Sequence, residues 1–201
     1  MKILSRISTD RFMSSTKKNT HKFHTFDAVI IALMAAIIAV CSWISIPVGA
    51  VPVTLQTFAI AVCGGLLGMK KGTLAVVVYT LLGVVGLPVF SLFTGGIGAI
   101  SGATGGYILG FVFITVVGGF FCDRFSGNLP LTVIGSIIGL LICYATGTLW
   151  YAFVYLGNTG HTGLISVLVT CVLPYIIPDF IKITLGCLVA KTVRKRIGAF
   201  K

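Results

Sequence analysis

The sequence predicts an all-α integral membrane protein of six transmembrane helices, with both termini on the cytoplasmic side. Three observations predict it. Of the 201 residues, 57% are hydrophobic and only 9% charged, and the mean hydropathy is +1.08, a composition no ordinary soluble domain shows. Apolar runs close to the roughly 20 residues needed to cross a bilayer recur along almost the whole chain. All basic residues but Lys182 fall in the tails, in alternate loops or toward the end of the last span.

The elements follow in order. Residues 1–26 form a polar, basic tail carrying Lys2, Arg6, Arg11, Lys17, Lys18 and Lys22, expected in the cytoplasm and suited to contact with anionic membrane lipid. It is too long and too rich in Ser and Thr for the basic region of a cleaved signal peptide, and the apolar run that follows has full helix length. The membrane domain spans 27–196, with helices expected at about 28–46, 53–69, 72–87, 104–121, 129–156 and 178–196, and a short tail at 197–201. Lys70 and Lys71 mark one inner loop and Arg124 another, whereas Pro47–Pro52, Pro88–Ala103 and Gly157–Thr162 carry no Lys or Arg and belong outside. The apolar segment Gly163–Ile177 is read as re-entrant or lid-like, because a seventh crossing would put the basic C-terminus outside; Pro178 suits the first turn of the last helix.

Several function classes drop out. The formal charge of +11 does not indicate nucleic acid, because the basic residues lie at the ends of membrane spans. There is no Walker A pattern, so ATP hydrolysis belongs to another chain if it is used. The acids are only Asp10, Asp27, Asp123 and Asp179, too few for enzymatic chemistry in the membrane. His21, His24 and His161 lie in the tail and an outer loop without ligand spacing, and the six cysteines form no CxxC pair, which argues against a metal site and a disulfide frame.

Three patterns remain. Gly95–Tyr107 is glycine-rich, which either exposes backbone to a ligand or permits tight helix packing, since Gly98, Gly102, Gly106 and Gly110 recur every fourth residue. Ala28, Ala32 and Ala36 share a face of the first helix, with Ala35 and Ala39 beside it; such a smooth ridge fits an internal helix contact or a partner surface. Asp179 and Lys182, at i, i+3 spacing, are the ionisable acid and base within a span. A buried structural pair and an outward-snorkelling lysine compete with a polar handle for a small ligand near the outer surface.

Ile46-Pro47-Val48-Gly49-Ala50-Val51-Pro52-Val53-Thr54-Leu55-Gln56-Thr57, Gly83-Val84-Val85-Gly86-Leu87-Pro88-Val89-Phe90, Thr104-Gly105-Gly106-Tyr107 with Gly110-Phe111, and Leu173-Pro174-Tyr175 with Asp179 and Lys182 resemble, in order and spacing, the BioY family. These are the biotin-specific S components of energy-coupling-factor (ECF) transporters. Ala103 and Pro178 stand where the family commonly has Pro and Gly, departures that alter loop shape without removing a polar group. The resemblance implies the ECF S-component fold in the bacterial cytoplasmic (inner) membrane, with biotin captured from outside by loops 1, 3 and 5 and the start of helix 6. It also implies a transmembrane T-component scaffold, met by the alanine face of helix 1, a pair of ABC ATPases, and toppling of the S component to carry ligand inward. No cofactor is implied. Biotin offers two ureido N–H groups, a carbonyl, an apolar ring body and a carboxylate. Asp179 is expected to accept from the ureido N–H groups and Lys182 to pair with the ureido oxygen or the carboxylate. Gln56 and the backbone at Gly95, Gly96 and Gly105 complete the polar contacts, with Phe90, Phe93 and Tyr107 against the ring body. An S component for another vitamin and a solitary proton-coupled carrier are the alternatives.

Overall fold

The structure is a computed structural model and describes residues 25–47, 51–159, 168–169 and 171–198. The N-terminal tail to residue 24 with His21 and His24, residues 48–50, residues 160–167 with His161, residue 170 and the C-terminus from residue 199 lie outside the described residues. Helix α1 spans Thr25–Trp43 and α2 spans Gln56–Val84; α3 is a short helix, Ile97–Ser101; α4 is Gly105–Arg124, α5 Leu129–Thr159 and α6 Leu173–Gly198. Five of these, all but α3, are long and apolar enough to cross a membrane when Gln56–Val84 is counted as one stretch. A two-stranded antiparallel ribbon, β1 (Ser45–Ile46) and β2 (Val53–Thr54), closes the first loop, pairing Ser45 with Thr54 and Ile46 with Val53.

Helix α2 is two helices folded back on each other. At Gly68 φ is 74° and ψ −173°, a conformation that breaks the helix and that only glycine adopts without strain. The arms then run antiparallel: Cys63 Sγ lies 3.6 Å from the Gly72 carbonyl, and Gln56 Nε2 donates to Tyr79 Oη at 2.8 Å. On a straight helix, residues 23 positions apart would stand about 35 Å from each other. The chain reverses at Gly68 and not, as the charges suggested, at Lys70-Lys71. The first arm begins at Gln56 rather than residue 53, because Val53 and Thr54 pair in the ribbon.

The last helix begins earlier than expected. Leu173–Ile177, read as part of a lid-like segment, form the opening turns of α6, and Pro178 lies inside it. Pro174, the second helical residue, occupies the first turn, where its missing N–H costs nothing; Pro178 forgoes only the bond to the Pro174 carbonyl.

The two ends of the bundle differ in chemistry. At one end Lys71 of the α2 turn pairs with Asp27 at the start of α1 (2.5 Å), and Asp123 at the end of α4 accepts from Met69 N (2.9 Å). Arg194 near the end of α6 reaches Cys122 Sγ of α4 (2.7 Å). At the other end Trp43 Nε1 donates to the Pro88 carbonyl (2.9 Å), Gln56 meets Tyr79, and α6 presents Asp179 and Lys182. Helix α4 packs chiefly on α5 and α2. Small residues permit the approach: a Cβ at Gly139 would stand 2.5 Å from the Phe113 carbonyl oxygen, and one at Gly110 2.8 Å from Cys143 Sγ. Gly106 and Gly110 of the four-residue series thus serve packing, whereas Gly98 faces open space.

The candidate ligand site and family membership

Asp179 is 5% exposed, and its carboxylate is met from three elements. Lys182 Nζ lies 2.5 Å from Oδ1, Thr57 Oγ1 of α2 donates to Oδ1 at 3.0 Å, and Tyr144 Oη of α5 donates to Oδ2 at 2.6 Å. Lys182 also donates to the Thr54 carbonyl of β2 at 2.7 Å. The lysine therefore turns inward to hydrogen-bonding partners and does not snorkel. The first loop is tied over this centre: Leu55 N bonds the Ile44 carbonyl (3.1 Å), Gln56 N bonds Thr54 Oγ1 (3.3 Å), and the Tyr175 hydroxyl of α6 bonds the Val51 carbonyl.

The pair opens into a cleft whose cavity volume is about 50 Å³. Val51, Pro52 and Val53 of the first loop form one wall, Phe111 of α4 and Leu140 of α5 another, and the Tyr107 ring a third. The polar capacity left over is small and directional. An ammonium has three N–H donors, and Lys182 uses two; a carboxylate has about four acceptor positions, and Asp179 uses three. What remains is a charged donor beside a charged acceptor above an apolar floor, a match for a group presenting N–H and C=O side by side.

Of the expected site residues, the structure brings Asp179, Lys182 and Tyr107 to this cleft. Gln56, Phe90, Phe93, Gly95, Gly96 and Gly105 do not line it. Gln56 turns to Tyr79, because it and Thr57 are neighbours about 100° apart around the helix and only one can face the cleft. Phe90 is buried edge-on against Tyr79, centroids 5.6 Å apart, in the gap left by Gly83. Phe93 is exposed and stacks on Trp43 at 5.1 Å. A Cβ at Gly95 would strike the Leu87 carbonyl and one at Gly105 the Ile100 carbonyl, so both glycines serve loop packing; Gly96 (φ +86°) faces open space. Thr54, Thr57 and Tyr144 were not foreseen. A tyrosine in an apolar helix needs a partner for its hydroxyl, and that was the available signal for Tyr144.

The alanine ridge divides. Ala35 (2% exposed) and Ala39 (7%) pack inside the bundle, whereas Ala28, Ala32 and Ala36 face outward. The sequence profile of the BioY family matches residues 14–199. The chain belongs to the BioY family. Its relatives include the probable biotin transporter BioY of Pyrococcus horikoshii, 36% identical over 165 residues, covering 82% of this chain and 94% of that one. The biotin transporter BioY of Thermotoga maritima is 36% identical over 163 residues, covering 81% and 92%. Among solved structures, the S-component for biotin from an ECF-type ABC transporter superposes with a TM-score of 0.76 at 29% identity, covering 89% of this chain and 94% of that one. The chain is accordingly a multi-pass membrane protein, and its structural neighbour is an S-component for biotin from an ECF-type ABC transporter.

Proposed function

We propose that this chain is the substrate-capture (S) subunit of an ECF-type ABC transporter and binds biotin in the Asp179–Lys182 cleft. The observation that carries the reading is the buried pair with one donor and one acceptor left open toward an apolar cleft. A ureido ring offers an N–H to Asp179 and its carbonyl to Lys182 on one edge, and the apolar ring body lies against Tyr107 and Phe111. Thr57 and Tyr144 hold the carboxylate in place. Gln56, Phe90, Phe93, Gly95, Gly96 and Gly105 act indirectly, by shaping the loops that border the cleft.

Counting the two arms of α2 separately gives six crossings with both termini on one side. The gathering of Lys70, Lys71, Arg124 and the α6 cations toward the end remote from Asp179 supports placing that side in the cytoplasm and the cleft outside. The membrane is the bacterial cytoplasmic (inner) membrane. Ala28, Ala32 and Ala36, outward on α1, form the surface for a T-component scaffold, and a pair of ABC ATPases supplies ATP hydrolysis; the chain itself is not an enzyme.

The test is a thermal-shift titration of the purified protein with biotin, and with desthiobiotin, thiamine and riboflavin as comparators. A ligand that binds only the folded state adds RT ln(1 + [L]/Kd), about 2.7 kcal/mol at a hundredfold excess over Kd. A shift with biotin and none with thiamine or riboflavin is expected. A shift with thiamine or riboflavin in place of biotin would reassign the substrate while keeping the fold.

A further inference from the structure

A second cleft lies at the end of the bundle remote from Asp179. It has a cavity volume of about 280 Å³ and lies between the α2 turn, the end of α4, the start of α5 and the end of α6. Three cations line it: Lys191, Arg194 and Lys195, at i, i+3 and i+4 on α6 and hence on one helical face. They stand 12–16 residues beyond Asp179 on the same helix, about 18–24 Å along its axis. Arg194 is pinned to the wall by its contact with Cys122 Sγ (2.7 Å), and Leu129 supplies an apolar surface beside it.

No carboxylate among the described residues neutralises these three. The chain has four acids. Asp27 pairs with Lys71, and Asp179 pairs with Lys182. Asp123 accepts from Met69 N–H and abuts Gly68, where a Cβ would come within 2.2 Å of it. The fourth, Asp10, lies outside the described residues. A cleft lined by three cations, with no carboxylate counter-ion among the described residues, is complementary to an anion.

We propose that this cleft binds a phosphate group, that of an anionic membrane phospholipid. A phosphate accepts a forked pair of hydrogen bonds from Arg194 and point charges from Lys191 and Lys195. The lipid source follows from the surroundings. The cations stand near the end of a helix long and apolar enough to cross a membrane, and Leu188 and Val189 next to them on α6 are exposed, an apolar surface suited to acyl chains. The site is independent of the biotin reading, because it shares no residue with the Asp179 cleft.

The experiment is native mass spectrometry of the full chain titrated with phosphatidylglycerol or phosphatidylcholine. It is run beside a thermal-shift titration with inorganic phosphate, on the parent and on two charge-matched variants. One variant, Lys191→Gln/Arg194→Gln/Lys195→Gln, empties the cleft; the other, Lys70→Gln/Arg124→Gln/Arg196→Gln, removes the same charge elsewhere. Phosphatidylglycerol adducts retained by the parent and the second variant, and reduced at least tenfold in the first, support the lipid site. Saturable stabilisation by inorganic phosphate that the first variant loses supports the phosphate chemistry with a free anion as its source. Equal loss of phosphatidylglycerol in both variants, or equal retention of phosphatidylcholine by the parent, overturns the proposal. The lipid comparison on the parent stands even if the first variant fails to fold.

Discussion

Replacing Asp179 by Asn removes the counter-charge of Lys182 in a setting where the two side chains are 8% and 11% exposed. The lysine keeps only the Thr54 carbonyl, and the new amide presents a donor where Tyr144 or Lys182 also donates. Leaving one member of a buried pair uncompensated costs about 3–5 kcal/mol. At 2–4 °C per kcal/mol for a chain of this size, Tm should fall by roughly 6–20 °C. Lys182→Met should cost less, because Asp179 retains the Thr57 and Tyr144 hydroxyls. In the double variant the stranded charge is gone, so its loss should be smaller than the sum of the singles by about 1–3 kcal/mol. Thermal unfolding of the four proteins closes the cycle. Strictly additive losses would refute the coupled pair on which the site rests. Each single variant should also weaken biotin binding roughly 10- to 150-fold, the worth of a hydrogen bond to a charged group; singles that bind biotin like the parent would remove the ligand from this cleft.

Tyr144→Phe should weaken biotin binding several-fold with a modest loss of Tm, since it frees one carboxylate position and leaves the ion pair intact; an unchanged Kd in a binding titration would exclude a positioning role. Gly68→Ala should lower Tm or abolish expression, because it forces an alanine into a glycine-only conformation with its Cβ 2.2 Å from Asp123 Oδ1; parent-like melting would mean the arms reverse elsewhere. Ala36→Leu should leave melting and biotin binding of the isolated chain unchanged while reducing uptake in cells supplying the partner subunits. Ala35→Leu, which points inward, should destabilise the chain itself by about 1–3 kcal/mol. Equal behaviour of the two variants would contradict the divided ridge.

Spans were legible where a long uncharged run ended in a charge, as at Arg124, because lipid demands length and apolarity and little else. The Asp179–Lys182 pair was legible from helical spacing and the cost of charge in a membrane. The reversal at Gly68 was only half legible. Lys70 and Lys71 announced an inner turn, but the break follows the backbone freedom of glycine rather than the charges. With Pro174 and Pro178 four apart, either could open a helix, and the helix opens at the first. Phe90, Phe93 and the loop glycines could not be placed, because residues 85–104 have no apolar periodicity from which to read direction. Thr57 and Tyr144 escaped for the converse reason: in helices apolar on all sides, the pattern does not say which side is the interior.

The most direct measurement is a structure of the biotin complex. The ureido ring should lie within hydrogen-bonding distance of Asp179 and Lys182, with the apolar ring body against Tyr107 and Phe111. Biotin seated instead among Phe93, Gly95 and Gly96, with the Asp179–Lys182 pair facing no ligand atom, would contradict it.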